Sequence, residues 1–107
     1  MVSCCLWFPA ANGLFNAVQL TTLAPEEWAG LSEWARPRCQ DLPSLAGLLS
    51  AALPVQVAPT DLPGLLAECQ RVDWDSLSGP ALGGFASLSG VVSQAAAQAH
   101  AGLRFAR

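Results

Sequence analysis

The chain carries few side chains that could do chemistry: four thiols, one imidazole, eight carboxylates and five guanidinium groups in 107 residues. The thiols are Cys4, Cys5, Cys39 and Cys69, and none of their spacings is C-x-x-C or another arrangement typical of zinc. Vicinal Cys4 and Cys5 point to opposite faces of a strand, which places them badly to grip one ion together. Neither a base nor a helix terminus lies close enough in sequence to lower their thiol pKa. They read as free, reduced cysteines of a cytosolic protein, with Cys69 a small hydrophobe on a helix stripe.

The single histidine, His100, lies among alanines and reads as a surface or packing residue. Glu26 and Glu27 are adjacent, so on a helix they point about 100° apart; they suit the positive end of a helix dipole better than paired acid and base work. The segment GFASLSG (residues 84–90) holds serines but lacks the G-x-S-x-G nucleophile elbow. Without lysine, the chain has neither the lysine of a phosphate-binding Walker loop nor an amine for Schiff-base or pyridoxal chemistry. These observations predict no catalytic residue, no cofactor and no metal site. An alternative is a thiol- or metal-dependent activity that uses the cysteines.

Composition points toward contact instead. Charged residues are 12% of the chain and apolar residues 52%, against about 25% charged in ordinary soluble domains. So few charges cannot coat the surface, and exposed neutral or apolar patches mark sites of contact. A net charge of −3 with five scattered arginines gives no basic track for nucleic acid. Eight acids are too few to imitate DNA. The N-terminal MVSCCLWFPAANG lacks the positive start and the cleavage pattern of an export signal. It reads as a strand over 2–8, ended by Pro9 and followed by an Asn12-Gly13 turn. Peripheral membrane attachment through this apolar segment is a second alternative.

The elements that would hold any site follow from periodicity. Leu14 to Thr21 suits a half-buried strand. A helix starts near Pro25, with Trp28, Leu31 and Ala35 on one face and Trp34 off it, and stops at Arg36-Pro37. Asp41 caps a second helix whose stripe is Leu42, Leu45, Leu48, Leu49, Ala52 and Leu53. The opposite face, Ser44, Gly47, Ser50 and Ala51, has no charge, which predicts cover on more than one side. After Pro54, Val55 to Val57 form a short strand. Thr60 or Asp61 caps a third helix that buries Leu62, Leu65, Leu66, Cys69 and Val72 and leaves Glu68 and Arg71 outside as a pair. A last helix runs from about Ala81 to Leu103. Its residues Phe85, Leu88, Val92, Ala95 and Ala99 make a packing seam, with small residues at Ala86/Gly90 and Ala97/Ala101 for close approach by the protein's own second helix or by another chain. The seam is too diluted by small and polar residues for membrane insertion.

VQLTTLAPEEWAGL (18–31) returns as VQVAPTDLPGLL (55–66). Each copy reads strand, helix, helix, which suggests a pseudo-repeat with Val18-Gln19-Leu20 paired beside Val55-Gln56-Val57. The fold expected is one α+β domain over 1–107, predominantly helical, with four helices and a minor sheet of two or three strands. The function expected is a non-catalytic protein-interaction module: a cytoplasmic homodimer subunit, or an inhibitor, immunity-type or adaptor protein that masks a partner. Tryptophan is enriched at the energetic centres of interfaces. The candidate contact residues are therefore Trp34, Trp74, Phe85, Leu88 and Val92.

Overall fold

Apolar side chains alternate along Val2, Cys4, Leu6 and Phe8, the period that lets one face of a strand meet a core. That segment is β1 (Val2–Pro9). The computed structural model describes residues 1–9, 15–98 and 101–107, so the expected Asn12-Gly13 turn and His100 lie outside the described residues. β2 (Phe15–Leu23) follows, then α1 (Pro25–Ala35), a 3-10 turn at Arg36–Arg38, α2 (Pro43–Ser50) and β3 (Val55–Val57). α3 (Leu62–Arg71), a second 3-10 turn at Trp74–Ser76, α4 (Pro80–Ala96) and β4 (Gly102–Ala106) complete the order.

The class is α+β, with four α-helices among the described residues and a sheet larger than expected: four antiparallel strands in the order β2-β1-β4-β3. The extra strand is β4, where the sequence predicts a helix to Leu103. The alanine run favours helix only as far as Ala96. Beyond it Gly102 breaks the pattern, and Leu103 and Phe105 turn inward while Arg104 turns out. The slot between β1 and β3 gives this segment strand partners on both sides, which no helix in that place would satisfy.

The doubled strand-helix-helix order holds along the chain, but its predicted pairing does not. β2 and β3 occupy opposite edges of the sheet, separated by β1 and β4. Leu103 and Phe105 sit between the two outer strands and fill the centre of the core at 0% exposure. Each fully buried side chain of this size contributes about 1.5–3 kcal/mol.

One face of the sheet meets the helices through Val2, Cys4, Leu6, Leu23, Val57, Leu103 and Phe105. Across the other face the register aligns Gln19, Cys5, Arg104 and Gln56 in one row. One row on, Trp7 pairs with Gly102. A Cβ there would stand 2.5 Å from the Val57 carbonyl oxygen and 2.8 Å from the Trp7 ring, so only glycine lets the indole and the β3 backbone come this close to β4.

α1 starts on Pro25, and Glu27 Oε1 accepts the Ala24 N–H at 2.8 Å. It crosses α4 closely: a Cβ on Gly84 would stand 3.0 Å from Leu31 Cδ1 and 3.1 Å from the Glu27 carbonyl oxygen. The partner of the α4 seam is thus α1 within the same chain. α2 ends at Ser50, earlier than expected, with Ser32 Oγ donating to the Leu49 carbonyl at 2.8 Å. Ser44, Gly47 and Ser50 are exposed, so none of the described residues of this chain covers the charge-free outer face.

Glu68 corrects another expectation. It is buried at 5% exposure, and its two oxygens accept the N–H groups of Ser44 (3.0 Å) and Leu45 (2.9 Å) at the start of α2. α2 lacks a side-chain cap of its own, so the carboxylate of α3 supplies the negative charge its N-terminus favours. Arg71, the expected partner of Glu68, instead donates to the Asp41 carbonyl at 2.8 Å. Glu68→Ala should therefore lower stability by about 2–3 kcal/mol, because it strands the buried amide of Leu45 and the half-buried amide of Ser44 at the start of α2, and urea unfolding measures the loss. Gly102→Ala should cost about 1–3 kcal/mol by the same measurement, with the clash rather than a lost contact as its cause.

Candidate interaction surface

Phe85 organises the end of the molecule where the expected contact residues collect. The Trp34 ring centroid lies 5.9 Å from it, and the Trp74 ring meets it edge-on at 4.8 Å, both within the range of favourable aromatic pairs. Phe85, Leu88 and Val92 have 0% exposure. They belong to this chain's own core, and a partner of the folded monomer does not reach them.

Trp34 is also buried, at 9% exposure, which corrects its reading as an exposed anchor. Its Nε1–H donates to Ser76 Oγ at 3.1 Å. The Arg38 guanidinium covers the ring at 4.8 Å and donates to the Trp34 carbonyl at 2.6 Å. A residue off the apolar stripe of its helix is buried because the 3-10 turn at Trp74–Ser76 folds over it, a contact 42 residues away in sequence.

Trp74 stays 47% exposed. Its short turn is locked by two bonds: Asp73 Oδ1 accepts the Asp75 N–H at 3.0 Å, and Ser76 Oγ donates to the Asp73 carbonyl at 2.6 Å. The indole is held from below by Phe85 and from the side by a rigid turn. Beside it runs a cleft of about 660 Å³ lined by Trp34, Arg38, Asp41, Arg71 and Asp73. The cleft mixes both charge signs, and both arginines already donate to backbone carbonyls.

A second feature was silent in the sequence. Between α2, β3 and α3 lies a groove of about 400 Å³ with Leu48, Val55 and Leu65 among its apolar lining and Gly47 and Gly64 along its helices. A Cβ on either glycine would meet nothing within 4 Å. Each costs about 0.8–1 kcal/mol of helix propensity against alanine, and no contact with the described residues requires it. The only available signal was two glycines within helical segments, and composition gives them no direction.

The four cysteines are free. Cys4 and Cys69 are buried and Cys39 is exposed. Burial, with the Cys5 thiol adding to it, pushes the Cys4 thiol up from 9.0 to about 12. Burial, then the Glu68 carboxylate, pushes Cys69 up to about 11. Both are held in the unreactive thiol form. Among the described residues no three His, Cys, Asp or Glu side chains come together as a metal site, and no helix is long and apolar enough to cross a membrane. The apolar N-terminal segment is bound on both edges by neighbouring strands.

No protein-family model, no curated protein and no solved structure matches the chain.

The thiols give a pH test of this geometry. The unfolded chain ionises them near 9.0, whereas the folded chain holds the protons of Cys4 and Cys69 to about 12 and about 11. Their contribution to stability is complete below pH 9.0 and is lost as pH rises above it, by on the order of 1 kcal/mol per pH unit for each thiol. Urea unfolding across that range should show the decline, and Cys4→Ala with Cys69→Ala should flatten it.

Proposed function

We propose that the chain is a non-catalytic protein-interaction module of the cytoplasm, acting on another protein or on a second copy of itself as an inhibitor, immunity-type or adaptor protein does. The observation that carries this reading is Trp74: a large aromatic ring left 47% exposed while pinned edge-on against Phe85. An exposed ring that is already ordered gives up little conformational freedom on binding, and tryptophan is the residue most enriched at binding hot spots. The low charge of the chain supports the same reading, because few ionic side chains are present to hold water at its surface. α4 is the longest helix, and its solvent side, Leu82, Gly83, Ala86, Gly90, Ser93 and Gln94, holds no formal charge.

The reading that uses the thiols gains less support, since two of the four are buried with raised pKa. Attachment to a membrane through the N-terminal segment would require β1 to leave the middle of the sheet.

A tagged chain recovered from its own cells, with the intact complex weighed by native mass spectrometry, tests the proposal. The expected mass exceeds the 11.1 kDa of one chain, through a second copy or a foreign partner. Trp74→Ala should weaken the complex by about 2 kcal/mol, roughly thirtyfold, while circular dichroism keeps its native shape. A lone monomer that captures nothing, or capture unaffected by Trp74→Ala, overturns the reading.

A further inference from the structure

The groove between α2, β3 and α3 has the make-up of a second site, distinct from the Trp74 end. We infer that it binds a short extended protein segment made of aliphatic side chains flanked by a basic residue, laid against the outer edge of β3. This deepens the reading of the chain as an interaction module and rests on it.

Three observations select that occupant. β3 is an edge strand with no strand neighbour on its outer side among the described residues, and an extended segment can add to such an edge while its alternate side chains enter the adjoining groove. Pro54 and Pro59 bracket its three residues. A proline offers no N–H, so the edge admits a short segment and resists long sheet extension. The apolar lining at Leu48, Val55 and Leu65 suits aliphatic side chains.

Charge decides the rest. Asp61 is the one charged residue lining the groove. It is exposed, and its carboxylate caps no backbone N–H of α3 and has no ion-pair partner among the described residues. A cation at the end of the bound segment complements it, whereas a second acid would be repelled. A second copy of the chain is the poorer occupant, because the strand at its other sheet edge, β2, carries no charge along its length to meet Asp61.

Gly47 and Gly64 are the telling residues. Glycine lowers helix stability relative to alanine, and neither position is crowded by anything in the chain. Their missing side chains keep the groove open. Leucine at either place should therefore fill the groove and leave the fold intact or firmer, which separates loss of binding from loss of structure.

The test uses the isotope-labelled whole chain and two defined probes: a pentapeptide of three valines between two lysines, and the same core between two glutamates. At about millimolar concentration, the lysine peptide should give saturable amide shifts centred on Gly47, Gln56 and Gly64. The glutamate peptide should bind several-fold more weakly. Asp61→Asn should cost the lysine peptide about threefold in affinity, an effect that added salt removes. Gly64→Leu, with Gly47→Leu as the second filling variant, should abolish the shifts while melting at or above the wild-type temperature. Absence of saturable shifts, equal binding of both peptides, shifts clustered elsewhere, or binding unchanged in both filled variants overturns the inference. Trp74-dependent capture of a partner that persists after such a result would leave the interaction module standing and remove this groove from it.

Discussion

The carboxylate of Glu68 is the joint on which the helical layer turns. α2 has eight residues, no charge and no cap of its own, and a helix so short gains little from its own hydrogen bonds. Two bonds from a buried carboxylate fix its start against α3. That contact sets the spacing between the two helices, and with it both features that flank them. Toward one end, Arg71 reaches the Asp41 carbonyl and closes the charged cleft. Toward the other, the helices part over β3 and leave the apolar groove. A chain with few ions spends one of its eight carboxylates inside the protein, where removing water makes each bond to it stronger.

Aromatic packing does the complementary work. Phe105 on the central strand β4 meets Trp28 at 5.5 Å, and Phe85 on α4 meets both Trp34 and Trp74. These contacts tie the sheet, α1, α4 and the turn at Trp74–Ser76 into one cluster. The close crossing of α1 and α4 at Gly84 offsets the helix propensity that glycine gives up. The same account does not extend to Gly90, where a side chain would meet nothing.

Elements whose signals are local were legible in the sequence. Pro25 with two acids marks the start of α1, the Val-Gln-Val between prolines marks β3, and the apolar stripe of Leu62, Leu65 and Cys69 marks α3. Trp74 was a candidate contact residue, and it is exposed. What stayed hidden depends on partners far away along the chain. Glu68 looks like an ordinary surface acid until α2 arrives 23 and 24 residues distant. Trp34 looks exposed until Ser76 meets its indole. β4 is a five-residue alternation directly after a run of alanines, and only its strand neighbours separate it from more helix. The groove is defined by side chains that are missing, and absence has no periodicity.

The position of β4 has a consequence for how the protein comes into being. Of the four strands it is the last to leave the ribosome, yet it lies between the first strand and the third. Until it emerges, β1 has a partner on one edge and β3 has none, so the sheet closes only by a contact spanning almost the whole chain. Such long-range closure is slow because the loop entropy is lost before the contacts repay it. Until β4 is made, the nascent polypeptide therefore carries exposed strand edges and a half-assembled core, the interval in which an apolar chain most depends on chaperones.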